Sequence, residues 1–289
     1  MKKVNKIQLY GIESYSQDQL MKMKESIFKY AEAINGLPKN HMEVLEKRGW
    51  LLPFLYGYDD LLWNRWSYWF ALIEKGTIQD SSPIPQITWE TPGSLGYEST
   101  SKMLATCLNH YEAKIDNFAQ WLQWGLALTK EKPNVSEKLN EYYYRNFDIF
   151  LLQKYPSDYM SHVLCEATGK GYKSGIGYFP TPFSVSLLIT QMTYKELNSP
   201  IAREQYKKQT VYDGCVGCGS LFLPASNYSL RGYAQDINKT ALDLLKIQCM
   251  LYAPWFAFPF DLKGFSEEQV EVRPASNNNG IEGQLELVI

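Results

Sequence analysis

Ten residues, Val211-Tyr212-Asp213-Gly214-Cys215-Val216-Gly217-Cys218-Gly219-Ser220, constrain this chain more than any other stretch. They follow a polar, Lys-rich run and precede a short apolar segment, 221–225. A second acid, Asp236, stands about two dozen residues beyond Asp213, next to Ile237. Glycine lets a backbone turn sharply and approach a ligand closely. A strand, a glycine turn, a helix, a second strand and an acid at its end make a nucleotide-binding half-fold. In such a unit the acid accepts hydrogen bonds from ribose hydroxyls.

The rest of the chain divides in two. Leu20, Met23, Ile27, Tyr30, Ala31 and Ile34 recur at steps of three and four, which predicts a helix over 17–34. Residues 51–72 are dense in aromatics, and their second half has helical spacing. The stretch 76–96, with Pro83, Pro85 and Pro92, reads as a loop. Met103, Leu104, Cys107, Leu108, Tyr111, Ile115, Phe118, Leu122 and Leu126 predict one long helix. Another helix is expected over 136–153. Beyond Tyr155-Pro156 the pattern changes. A short helix over 159–168, a Gly/Lys loop over 169–177 and a helix ending near Met192 lead into the strand–turn–helix alternation. Strands near 210–212, 230–234, 257–260 and 284–289 predict an α/β unit with a parallel sheet and crossover helices. The expected organisation is a helical N-terminal domain, 1–154, followed by an α/β, Rossmann-like domain, 155–289. Four strands are fewer than a complete doubly wound domain has, so that domain reads as truncated.

With 45% apolar residues in 289, a sizeable core can form. A net charge of -2 supplies no global field toward nucleic acid, although a local basic face stays open. No secretory signal and no apolar run of membrane-spanning length is present, so a cytoplasmic chain with free thiols and no membrane partner is expected. Cys215-x-x-Cys218 has no second cysteine pair, and His41, His110 and His162 are scattered, so no metal site is expected. Two accounts remain for the pair: a redox role at a helix start, or cysteines that merely accompany the glycines.

Three motifs occur in order: Phe179-Pro180-Thr181-Pro182 before an apolar helix, Asp213-x-x-x-Gly217-x-Gly219, and Asp236-Ile237-Asn238. That order resembles the N6-adenine DNA methyltransferases, most closely the modification subunits of type I restriction-modification systems. The resemblance covers about 158–289, and it implies a Rossmann-like domain that binds S-adenosylmethionine and transfers a methyl group to adenine in DNA. By the same resemblance Phe179, Thr181 and Pro182 lie beside the methionine part of the cofactor. Asp213, Gly217 and Gly219 carry its amino-acid end, Asp236 with Ile237 holds the ribose, and Asp261 lies beside the adenine ring. The family performs its chemistry with Asn-Pro-Pro-Tyr or Asn-Pro-Pro-Phe after the fourth strand. No Asn-Pro-Pro occurs in this chain, so no catalytic residue is assigned. Gly214 replaces the family's usual Pro, and Cys218 a small Ser or Thr. A catalytically inactive relative that binds the cofactor, DNA or a protein is the alternative.

Other features carry two readings each. Asp236 can hold a ribose or cap the helix that follows. Asp261 can be a cofactor contact or a solvated acid. The aromatic run 63–70 can stack bases, pack a core or meet a partner. A protein partner or a homo-oligomer can engage through this aromatic half or through an open sheet edge. Lys170, Lys173, Lys207 and Lys208 can approach a phosphate backbone or form a solvated face.

Overall fold

The computed structural model describes residues 5–167, 179–194, 199–265 and 285–287. Helices dominate. Those of the first half are α1 (Lys6–Tyr10), α2 (Gln17–Ala31), α3 (His41–Val44), α4 (Leu52–Leu62), α5 (Arg65–Lys75), α6 (Leu95–Cys107), α7 (Ile115–Gly125), α8 (Glu137–Asn146) and α9 (Ile149–Lys154). The second half brings α10 (Tyr159–Ala167), α11 (Phe183–Thr193), α12 (Pro200–Lys208), α13 (Phe222–Ala225), α14 (Lys239–Tyr252) and α15 (Pro254–Ala257). None of the described helices is long and apolar enough to cross a membrane.

The expected helix over 17–34 forms as α2 and runs on into a 3-10 turn, whereas the aromatic segment 51–72 and the expected helices over 103–126 and 136–153 are interrupted, and side-chain caps explain where. The 51–72 segment breaks at Asn64, whose backbone is left-handed, and the buried Asp59 carboxylate accepts from the Trp66 N–H at 2.8 Å. The segment through Met103 and Leu126 breaks over 108–114. There Asn117 accepts from the Lys114 N–H at 2.9 Å and donates to the Glu112 carbonyl at 3.0 Å. Asp148 splits 136–153 by accepting from the Phe150 N–H at 3.0 Å. Apolar periodicity continues through such breaks, because a capped turn can restart a helix in the same phase.

The sheet has the order β1 (Thr210–Asp213), β2 (Arg231–Asp236), β3 (Leu285–Leu287). Strands β1 and β2 are parallel, with Tyr212 opposite Tyr233. Strand β3 lies antiparallel to β2, with Glu286 opposite Gln235. The expected strand over 257–260 is absent. Ala257 closes the short helix α15, which Pro254 opens, and no strand follows over 258–262. Pro259 has no N–H to give a ladder. Among the described residues the parallel alternation is therefore confined to one β–α–β unit, and residues 285–287 of the expected fourth strand run antiparallel.

One apolar core runs through both halves. Trp66 donates its indole N–H to the Met250 carbonyl at 3.0 Å, and Trp69 donates to Phe258 at 2.7 Å. The Tyr252 hydroxyl donates to Leu152 at 3.0 Å. Arg65, fully buried, lies 4.2 Å above the Trp255 ring and donates to the Ser226 carbonyl at 2.6 Å. Trp66, Tyr68 and Trp69 of the aromatic run are thus core residues that fasten helices α4 and α5 to α14 and α15.

Candidate cofactor pocket

Beyond β1 the chain turns on its own side chains. Asp213 accepts from the Cys215 N–H at 3.1 Å, and Val216 donates its N–H to the Gln235 carbonyl at 3.1 Å. Gly217 follows in the left-handed region at φ 55°, and its N–H donates to Asp236 Oδ2 at 2.7 Å. The other Asp236 oxygen accepts from the Asn238 N–H at 2.8 Å. Asn238 in turn caps α14 by accepting from the Ala241 N–H at 3.2 Å. Asp236 thus fixes the glycine turn against the second strand, while Asn238 is the capping residue.

The two outer glycines have different reasons to be glycine. Gly219 sits at φ 102°, and a Cβ there would lie 2.6 Å from Leu245 Cδ1 of α14. Its absence of a side chain serves helix packing. At Gly214 a Cβ would meet the Tyr212 hydroxyl at 3.1 Å. That hydroxyl folds back over the turn and accepts from Gln235 Nε2 at 2.7 Å.

The Phe179–Pro182 segment joins this turn through Ser220. The buried Ser220 hydroxyl donates to the Thr181 carbonyl at 2.7 Å and lies 2.9 Å from the Ser186 hydroxyl of α11. Beneath them Gln248 of α14 donates to the Cys218 carbonyl at 2.7 Å and to Asp158 Oδ1 at 2.8 Å, and accepts from the Met160 N–H at 3.3 Å. Asp158 also accepts from the Ser161 N–H at 3.2 Å. Burial pushes the Asp158 carboxyl up, opposed by hydrogen bonds from Ser161, Gln248 and Ser220. One buried polar network therefore ties together the start of α10, the glycine turn and the Thr181 wall.

The result is a cavity of about 330 Å³. Phe179, Thr181, Asp213, Gly217, Asp236 and Ile237 all line it, as do Ser161, Cys215, Ser220 and Asn238. Its volume lies within the range of small-molecule sites. Among the described residues, two carboxylates face it and no lysine, arginine or histidine does. Burial raises the Asp213 pKa, the Cys215 N–H lowers it, and the nearby Asp236 charge adds to the rise. Such a wall suits a ligand with hydroxyl donors and positive charge and opposes a phosphate.

Not every expected site residue is there. Pro182 is the residue before α11 and does not line the cavity. Gly219 lies behind the turn against Leu245. Asp261 is exposed in the 258–262 segment and is not among the lining residues. Cys215 is exposed and Cys218 is buried, and neither is in a disulfide. No cluster of three or more potential metal ligands occurs among the described residues. Lys170 and Lys173 lie outside the described residues, as does the 169–177 loop. Lys207 is neither solvated nor available to a phosphate. It is buried and donates to Glu204 at 2.8 Å and to the Ser81 carbonyl at 3.2 Å.

Ser161, Ser220, Gln248 and Asp158 were not legible as site residues. Only Gln248 leaves a trace in the sequence. It is a polar residue flanked by Leu244, Leu245, Ile247, Cys249 and Leu251 on a helix, and such a residue is buried only with partners. Compared with protein-family models, with curated proteins and with solved structures, the chain finds no match.

Proposed function

We propose that the cavity binds S-adenosylmethionine, and that residues 155–289 belong to a Rossmann-like methyltransferase domain of the N6-adenine DNA methyltransferase type. The observation that carries this reading is the composition of one cavity. The Thr181 segment, the glycine turn and the acid at the end of β2 converge on it, and among the described residues its charged lining groups are Asp213 and Asp236. A dinucleotide would set its pyrophosphate against two carboxylates. S-adenosylmethionine instead offers ribose hydroxyls to Asp236 and an ammonium and a sulfonium to the Asp213 side. In this reading Ile237, exposed at the mouth, covers the adenosine, and the Phe179–Thr181 wall closes the methionine end.

When bound, the cofactor supplies an electrophilic methyl group. The residues of this chain bind and orient it. No residue is assigned to the transfer, because the sequence holds no Asn-Pro-Pro. That absence favours a second reading, in which the chain binds the cofactor, DNA or a partner without transferring methyl.

Titration calorimetry with S-adenosylmethionine tests the binding. Micromolar-class affinity is expected for the wild type, and a loss of about 1.5–3 kcal/mol for Asp236→Ala, the magnitude of hydrogen bonds to a charged group. NAD serves as the competing nucleotide. No heat with S-adenosylmethionine, or tighter binding of NAD, overturns the assignment. A methyl-transfer assay on adenine-containing DNA then separates the two readings.

A further inference from the structure

A second cavity, of about 390 Å³, opens between α12, the 83–86 segment and the turn after α13. It shares no described lining residue with the cofactor pocket. Pro200, Arg203, Glu204 and Lys207 stand at i, i+3, i+4 and i+7, so one stripe of α12 faces it. A helix ordinarily turns its apolar side to the protein. Here the inward stripe carries three charged groups, while Ile201 of the same helix is 72% exposed. Lys207 forms the floor. It is buried, and its three donors go to Glu204 at 2.8 Å and to the Ser81 and Ser82 carbonyls at 3.2 and 3.4 Å. Lys207 therefore neutralises Glu204. Summed over the described lining residues, the charge left over is the single positive one of Arg203, which is exposed at the mouth.

The walls are held in place by the protein itself. Asn227 accepts from the Ile87 N–H at 3.0 Å and donates to the Ile87 carbonyl at 2.9 Å, and the buried Arg65 donates to it at 3.3 Å. Gln86 donates to the Asn227 carbonyl at 2.8 Å. These bonds pin the 84–87 segment to the turn after α13. Tyr206 and Tyr228 form an aromatic wall. Behind them the buried Tyr194 stacks on Tyr228 at 4.3 Å and 17° and meets Tyr206 edge-on at 4.9 Å. A wall braced in this way loses little freedom when a ligand arrives.

We propose that this cavity is a second ligand site, separate from the cofactor pocket, for a small aromatic monocarboxylate. Three observations converge on that class. The volume is that of a small-molecule site. Tyr206, Tyr228, Ile84 and the rings of Pro83 and Pro200 offer an apolar surface to a planar body. The one surplus positive charge balances a monoanion and leaves a phosphate dianion unmatched. The charge belongs to an arginine, whose planar fork fits the two oxygens of a carboxylate. The cofactor pocket has the opposite sign, since carboxylates line it.

Fluorine NMR titration of the full chain with 4-fluorobenzoate tests the proposal, with 4-fluorobenzamide as the neutral isostere. The acid should bind about tenfold more tightly than the amide, and Arg203→Met should weaken the acid by about tenfold. Arg203→Glu should reverse the preference, rejecting the acid and admitting 4-fluorobenzylamine. Circular dichroism melts of both variants should match the wild type, because Arg203 is exposed. A wild type that does not bind 4-fluorobenzoate overturns the proposal, and so does equal affinity for acid and amide, whatever the variants do. Unchanged affinity in folded Arg203→Met, or a folded Arg203→Glu that still prefers the acid to the amine, overturns it as well.

Discussion

Replacing Gln248 with leucine tests whether the pocket is held from beneath. The side chain is buried and makes three hydrogen bonds, to Asp158, Cys218 and Met160. Leucine keeps the volume and the helix propensity. It leaves a buried carbonyl and a buried N–H without partners, and it removes a donor from a buried carboxylate. Orphaned neutral groups cost about 1–3 kcal/mol each, and a bond to a charged group is worth about 1.5–3 kcal/mol. Added apolar burial offsets about 1–2 kcal/mol, so the net expected loss is about 2–8 kcal/mol, with a midpoint of about 5 kcal/mol. At roughly 2–4 °C per kcal/mol for a chain of this size class, the melting temperature should fall by roughly 10–20 °C at that midpoint. Urea unfolding followed by circular dichroism reads the free energy, with the slope unchanged. Gln248→Glu separates hydrogen bonding from packing. It places a second carboxylate beside Asp158, and two such groups cannot both ionise. The new acid has a folded pKa raised above its unfolded value. Its stability contribution is present at low pH and lost as pH rises, so the variant should approach wild type in acid and fall away toward neutrality. A loss below about 1 kcal/mol for Gln248→Leu, or a pH-independent deficit for Gln248→Glu, refutes the reasoning.

Three further outcomes are expected. Burial pushes the Asp59 carboxyl up to about 7 from 3.8, against the Trp66 N–H and the Arg65 charge. Its stability contribution is therefore full below about pH 4 and lost as pH rises through 7, and thermal melts of Asp59→Asn should lack that part of the slope. Arg65→Ala should cost about 3–5 kcal/mol in urea unfolding, and Arg65→Lys should not restore it, because an ammonium cannot both stack on Trp255 and reach the Ser226 carbonyl. Iodoacetamide should label Cys215 first, since it is exposed while burial pushes the Cys107 thiol up to about 12 and raises Cys249 as well. S-adenosylmethionine should slow that labelling about tenfold if it fills the pocket, equal to about 1.4 kcal/mol of protection. Mass spectrometry after timed quenching checks this.

The sequence alone determined what depends on neighbours along the chain. The glycine turn, the acid that ends β2, the cap at Asn238 and the helical character of 17–31 are local matters of backbone freedom and periodicity. Helix breaks at 108–114 and Asp148 were illegible, because the apolar phase runs through them and only the capping bonds reveal them. Tertiary structure decided the rest. It sent Gly219 behind the turn to meet Leu245 and left Asp261 out of the cavity. It buried Lys207 on backbone carbonyls, and it linked Asp158, Gln248 and Ser220 from three separate elements. It also turned the apolar face of α11 outward, which no periodicity can foretell. Spacing fixes which residues share a face of a helix. Only the packing of other elements decides whether that face meets a core, a partner or water.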